Sequence, residues 1–345
     1  MTLAINKKIR FDYQRPPLII AEISSNHNGS KKKFLKLIRK AYENGADMVK
    51  IQTYEPEDLT YNNSEGKFLI KKGLWKGKNL WDLYKKAHTP YEWHYDAFKL
   101  AKEKNKILFS TPFSLRSLEF LKKFKPPIYK ISSFEITDHN LIKEIAKINK
   151  PIILSTGAAE MIDIESAIKI IRKFHNKIIL FHCVSEYPTP IQNANINKIN
   201  FLKKKFKNCM IGLSDHTTGL SSSYAATAIG VVAIEKHIKL NENSKSEDSK
   251  FSLSLSNLKK LKQISKEIFY SLESKNRTQI NKTYRRSIYS ATNLKKNEII
   301  TKKNIKTLRP NIGVSADKFD MIIGMKMKRN LKENQPIFKK FLKKN

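Results

Sequence analysis

Eight short β-branched runs, separated by amphipathic stretches, constrain this chain more than any other feature. They are LIIAEI (18–23), DMVKIQ (47–52), ILFST (107–111), PIYKIS (127–132), PIILST (151–156), IILFHC (178–183), CMIGLS (209–214) and VAIEKH (232–237). Each has the length and composition of a buried strand. Between most of them lie helix-like stretches such as FLKLIRKAYENGA (34–46), SLEFLKKF (117–124), LIKEIAKIN (141–149) and ESAIKIIRKF (165–174). Strand followed by helix, eight times over, predicts an α/β fold of the (β/α)8 TIM-barrel type. A doubly wound open sheet is the alternative, disfavoured because no glycine-rich phosphate turn follows the first run.

The connection between the second and third runs is long, and connections of this length are uncommon unless functional. Its segment NLWDLYKKA (79–87) has helical spacing and aromatics suited to cover a barrel mouth. After residue 240 come a polar stretch, a helix around 256–273 and a segment without apolar periodicity. The boundaries follow: a barrel domain over 1–273, a linker over 274–285 and a small module over 286–345 with short strands and turns.

Partners can be narrowed from the charge. The formal net charge is +36, which raises nucleic acid or an acidic membrane surface as possibilities. Lysine, however, is spread over the whole chain, as in the helix face KKKFLKLIRK (31–40), and no RNA- or DNA-binding signature accompanies it. We expect no nucleic acid and no membrane partner, and a salt-sensitive attraction for anionic substrates. No apolar run is long enough to span a bilayer, and the start MTLAINKKIRFDYQRPPL lacks the apolar core of a signal peptide. The expected location is the cytoplasm. Cys183 and Cys209 lie in apolar runs without metal-ligand or redox spacing, which points to buried free thiols.

Barrel enzymes carry their chemistry at the C-terminal ends of the strands. Here those ends are polar in every run: Glu22; Lys50 and Gln52; Ser110 and Thr111; Lys130, Ser132 and Ser133; Ser155 and Thr156; His182 and Ser185; Ser214, Asp215 and His216; Glu235 and His237. Side chains alternate faces along a strand, so Lys50 shares a face with Gln52, and Glu235 with His237. If these faces point inward, two lysines and a ring of hydroxyls converge, a donor set suited to a phosphate beside a carboxylate. Each residue alone has a plainer reading. Lys50 could snorkel at the rim, Glu22 could pair with a lysine, Ser155 and Thr156 could cap a helix start, and His182 reads as a core histidine. The coincidence across eight ends carries the argument. His216 and His237 end neighbouring strands and could share a divalent metal, although their spacing is no metal signature and a lone histidine is usually structural.

In these residues the chain resembles the sialic-acid synthase family. The motifs are AEISSNHNG (21–29), VKIQTY (49–54), STPF (110–113), YKISSFE (129–135), LSTG (154–157), HCVSEYPTP (182–190), GLSDHT (212–217), IEKHI (234–238) and SEDSKFSL (246–253). The tail, with RSIYSA (286–291) and LRPNIG (308–313), is similar to that family's antifreeze-like (SAF) domain. Within the family KFLIKKGLW, AHTPYEWH and SEDSKFSL resemble the branch that makes pseudaminic acid, and Ser185 stands where neuraminate synthases usually have Asn. Legionaminate and neuraminate synthesis are the nearer alternatives. A Schiff-base aldolase using Lys130 or Lys236 is a more distant one, and a basic binding module the non-enzymatic one.

The resemblance implies a phosphoenolpyruvate-dependent transferase acting on an amino-sugar aldehyde. Lys50, Thr111, Lys130, Ser133, Ser155, Ser185 and Ser214 would hold phosphoenolpyruvate. His216 and His237 would hold a divalent metal that polarises the aldehyde, with manganese expected and magnesium or cobalt as substitutes. Glu22, Gln52, Tyr187 and Asp248 would contact the sugar. Arg309 of the partner subunit would reach the sugar's N-acetyl group, which implies a domain-swapped homodimer. Glu135 is the expected water-activating carboxylate, and Glu22 would orient the sugar and stabilise positive charge, the two roles being exchangeable at this level.

Overall fold

The computed structural model describes residues 2–63, 65–273 and 281–344. The chain divides into two compact units, Met1–Glu273 and Ser274–Asn345. Of the linker expected over 274–285, residues 274–280 lie outside the described residues.

The first unit opens with an antiparallel hairpin that the hydrophobic pattern did not announce, β1 (Thr2–Ala4) and β2 (Arg10–Asp12). The strand–helix series then begins with β3 (Leu18–Glu22) and α1 (Lys31–Glu43). Next come β4 (Met48–Thr53), α2 (Leu80–Ala87) and α3 (Tyr91–Glu103). The series continues with β5 (Ile107–Pro112), α4 (Leu115–Lys122), β6 (Tyr129–Ile131) and α5 (His139–Lys147). Then follow β7 (Ile152–Ser155), α6 (Met161–Arg172), β8 (Ile178–Cys183) and α7 (Lys198–Lys205). It ends with β9 (Met210–Asp215), α8 (Ser221–Ile229), β10 (Ala233–Lys239), a short β11 (Leu253–Ser254) and α9 (Leu255–Leu272).

Strands β3 to β10 are parallel, and β10 pairs with both β9 and β3, so the sheet closes on itself. The fold is therefore a (β/α)8 barrel and not an open sheet. The long connection between β4 and β5 proves to hold two helices. The second, α3, packs on α1 and β5 as an ordinary barrel helix, with His94, Ala97 and Ala101 buried. The true insertion is the segment before it, including α2.

The barrel lumen is layered. Its lower part is apolar, built from Ile20, Met48, Ile107, Phe109, Ile128, Ile153, Ile179, Phe181 and Met210. Phe11 of the hairpin is fully buried in the same cluster and plugs this end. A larger apolar shell between strands and helices makes the second core, in which each fully buried Leu or Ile contributes about 1.5–3 kcal/mol. Above the lower lumen the inward positions turn polar and charged.

The second unit holds two antiparallel pairs, β12 (Ser287–Ser290) with β13 (Ile305–Leu308) and β14 (Lys326–Met327) with β15 (Leu342–Lys343), and a short helix α10 (Phe319–Ile322). Its own core includes Ile288, Leu294, Ile300, Ile305, Met327 and Ile337. Among the described residues no helix is long and apolar enough to cross a membrane. Cys183 and Cys209 are buried free thiols.

Candidate active site

Phe181 is the floor on which the site is built. Its ring fits because β9 has no side chain opposite it: a Cβ on Gly212 would come within 2.3 Å of the ring. The ammonium of Lys130 sits 4.9 Å above that ring's centroid. From there a charged layer spreads across the lumen. Lys130 Nζ donates to both oxygens of Glu235, at 3.1 and 3.0 Å, and Lys50 Nζ lies 2.8 Å from the same carboxylate. Ser214 Oγ donates to Glu235 at 3.1 Å, and Glu22 pairs with Lys50 at 3.1 Å. Barrel register explains the set, because Glu235 aligns with Ser214, His237 with Glu22, and Glu22 with Lys50.

Burial acts on all four charges, and the partners decide the outcome. Burial pulls Lys50 down, but Glu22 and Glu235 outweigh it and hold its ammonium above the ordinary lysine value. Lys130 is pulled down by burial to about 8, Glu235 offsetting only part of it. Burial pushes Glu235 up, yet Lys130 and Lys50 bring it well below the usual carboxylate range. Glu22 is raised, by burial first, against the pull of Lys50.

This layer is the base of a cavity of about 930 Å³. Thr111, Ser133, Ser155, Ser185 and Ser214 line it beside Lys50 and Lys130. The buried hydroxyls of Thr111 and Ser185 have no hydrogen-bond partner, and such orphans usually await a ligand or water. Ser133 Oγ accepts from the Gly157 N–H at 3.0 Å. A Cβ on Gly157 would lie 2.5 Å from Ser185 Oγ, so any larger residue there would displace that hydroxyl. Two cations and this set of hydroxyls can hold a small dianion or trianion.

His216 and His237 stand on one wall with ring centroids 5.4 Å apart. His216 Nδ1 lies 2.9 Å from the Val184 carbonyl, which can only accept, so Nδ1 carries a proton and Nε2 is the nitrogen left to face a metal. His237 is held neutral, burial lowering it well below the ordinary histidine value, and its buried Nδ1 has no hydrogen bond. Burial lowers His216 too, but the Cys183 sulfur beside it outweighs this and raises it above the ordinary histidine value, so a metal there would have to displace a proton. Two adjacent imidazoles, one already oriented by a carbonyl, can hold a divalent cation. Among the described residues no group of three or more His, Cys, Asp or Glu is arranged around a metal position. Two protein donors would leave the other positions to substrate and water, as in catalytic sites.

Asp248 is buried beside them, its Oδ2 3.8 Å from His237 Nδ1 and accepting from Ser24 Oγ and the Ser25 N–H. The wall adjoining the imidazoles is aromatic. Tyr187 lies over His216 at 4.3 Å and against Trp75 at 5.6 Å, with Phe251 completing the cluster. Ile70, Leu74, Leu80 and Leu83 of the insertion also line the cavity. Glu135 lines the cavity rim, accepts from Ser132 Oγ, and is pushed up to about 7 by burial.

Of the residues singled out from sequence, Lys50, Gln52, Thr111, Lys130, Ser133, Glu135 and Ser155 line this one cavity. So do Ser185, Tyr187, Ser214, His216, His237 and Asp248. Two stand apart. Glu22 is fully buried, pairs with Lys50 at 3.1 Å and is not itself among the residues that line the cavity. Arg309 lies exposed in the second unit, just after β13. Lys236, one of two candidate Schiff-base lysines, faces out of the lumen and pairs with Asp215 at 3.0 Å. Sequence reasoning placed Glu235 at a strand end but gave it no role. Its position two residues before His237, on the same face, was the available signal. Trp75 and Phe251 were likewise not singled out.

This chain belongs to the NeuB family, whose model matches residues 37–277, and a SAF-domain model matches residues 285–343. It is thus an enzyme of the phosphoenolpyruvate-dependent nonulosonate synthase family, whose members use a divalent metal. It is 39% identical over 327 residues to a pseudaminic acid synthase of Campylobacter jejuni, covering 93% of this chain and 95% of that protein. It is 36% identical to an N,N'-diacetyllegionaminic acid synthase of the same species, covering 93% and 98%. Among solved structures, the N-acetylneuraminic acid synthetase of Leptospira borgpetersenii in complex with citrate aligns with TM-score 0.73 and 29% identity, covering 81% of this chain and 93% of that one.

Proposed function

We propose that this enzyme condenses phosphoenolpyruvate with 2,4-diacetamido-2,4,6-trideoxy-L-altrose, giving pseudaminic acid and phosphate. The observation that carries the reading is one cavity holding two lysines joined through Glu235 on its floor and two imidazoles on its wall. The likeness to the Campylobacter pseudaminic acid synthase supports the choice of sugar. Legionaminate synthesis is the second reading, favoured by the 36% identity to that synthase.

Phosphoenolpyruvate binds against Lys50 and Lys130, with the hydroxyls of Thr111, Ser133, Ser155, Ser185 and Ser214 completing its phosphate and carboxylate contacts. Glu22 keeps Lys50 charged and in place. Gln52, Tyr187 and Asp248 hold the open-chain sugar, and the apolar wall takes its 6-deoxy methyl and 4-acetamido groups. His216 and His237 would hold a divalent metal, which would supply Lewis-acid polarisation of the aldehyde; manganese is the expected ion, with magnesium or cobalt as substitutes. C3 of phosphoenolpyruvate then bonds to the aldehyde carbon, whose oxygen takes up a proton. Positive charge develops at C2, and water adds there as Glu135 accepts its proton. The C2–O bond to phosphate breaks, leaving the ketone and inorganic phosphate. The SAF-like module carries Arg309 to the sugar site of a second copy in a domain-swapped homodimer, and the enzyme works in the cytoplasm.

The test is a side-by-side assay of phosphate release with the altro sugar, the legionaminate precursor and N-acetylmannosamine. Phosphoenolpyruvate labelled with ¹⁸O in its bridging position should deliver the label to phosphate. Label retained in the ketone, or a clear preference for another sugar, overturns the proposal.

A further inference from the structure

Trp75 and the apolar residues Ile70, Leu74, Leu80 and Leu83 that line the cavity are carried by an insertion, so something must hold that insertion over the cavity. Glu247, in the loop after β10, does not line the cavity. Its side chain is only 8% exposed and lies between two lysines of the insertion. Lys78, just before α2 starts, donates to one carboxylate oxygen, and Lys86, in the last turn of α2, lies 2.8 Å from the other. One carboxylate therefore ties both ends of α2, the helix that presents Leu80, Leu83 and Tyr84 to the cavity. The backbone makes a third tie, since the Glu247 carbonyl accepts from Trp75 Nε1 at 3.1 Å. The next residue is Asp248, held against Ser24 and Ser25 beside His237.

The geometry points to Glu247 as a positioning residue for the sugar half of the site: it latches the insertion to the loop after β10, fixing the apolar wall and Asp248 together. The inference rests on the proposed sugar site for its kinetic consequence, but the latch itself is independent of substrate identity. The lysines that ground the phosphoenolpyruvate end come from β4 and β6, which the latch does not touch. Loosening it should therefore weaken sugar binding selectively. A nearly dry carboxylate between two ammonium groups holds geometry better than an exposed pair would.

Two variants test this, Glu247→Gln and the double change Lys78→Met with Lys86→Met. The second alters only half-exposed lysines and spares folding if the first does not. Hydrogen exchange of the α2 amides should accelerate about tenfold in both, the size expected from losing one such tie. Sugar KM should rise about tenfold while the KM for phosphoenolpyruvate stays within about twofold, a split that general loss of structure does not produce. Unchanged α2 exchange in both variants, or parallel rises in the two KM values, overturns the latch. If the wild-type protein turns over none of the sugars, the proposed function falls, and the exchange measurement still decides the latch.

Discussion

Lys130 and Glu235 meet through both carboxylate oxygens, at 3.1 and 3.0 Å, and Lys50 joins the same carboxylate at 2.8 Å. One acid on β10 thus serves as counter-ion to lysines from two other strands. Glu235→Ala should leave two buried ammonium groups with only Glu22 between them. Breaking a buried pair in this way costs about 3–5 kcal/mol. Urea denaturation at neutral pH should show that loss, and added phosphoenolpyruvate should recover part of it by supplying negative charge to the same lysines. An unchanged midpoint would mean that the network contributes no stability.

Glu135 gives a pH dependence of defined sign. Its folded pKa is pushed up from 4.5 to about 7, mainly by burial. The folded state therefore binds more protons than the unfolded one between those values, and stability falls as pH rises through that window. Glu135→Gln keeps an acceptor for Ser132 and removes the fall, so its advantage over the wild type should grow to about 1–3 kcal/mol at pH 8. The wild-type kcat/KM should rise through about pH 7 as the base deprotonates, and the variant should lose turnover by about 10²–10⁴-fold. A flat rate profile between pH 6 and 8 would remove Glu135 from the proton transfer.

His237→Ala tests the wall of imidazoles. Chelation should silence the wild-type enzyme, and readdition of manganese should restore it. The variant should stay at least about 10²-fold slower whatever metal is added, because one of two donors is gone. Near-wild-type turnover after rigorous metal removal would contradict the Lewis-acid role.

Gly212→Ala probes the floor. The added methyl would meet Phe181 at 2.3 and 2.6 Å, inside a packed lumen where the ring cannot simply step aside. Overpacking of this kind costs about 1–3 kcal/mol. Displacing the ring also moves the surface on which Lys130 rests, so the KM for phosphoenolpyruvate should rise while that for the sugar changes less. Thermal melting and steady-state kinetics check the two halves of this expectation.

The architecture was legible because a parallel strand buried on both faces leaves a continuous apolar run, and eight such runs ended in polar residues. Alternation also told which residues share a face: Glu235 and His237 point inward together, while Lys236 between them points out to Asp215. Other features were hidden. A three-residue hairpin strand carrying Phe11 gives no periodic signal, yet that ring plugs the barrel. Helix α3 was not among the helices read from the long connection, because its aromatic and charged residues blur the apolar stripe that marked its neighbours.

The sequence by itself determined the eight strand–helix units, the polar strand ends and the family motifs, because side-chain period and burial are written along the chain. Only the tertiary structure decided that Glu22 pairs with Lys50, that Glu235 joins both lysines, and that Glu247 ties down α2. Those facts depend on how a closed barrel and its loops bring residues from 28 to 185 positions apart into contact, and such a distance in space has no one-dimensional signature.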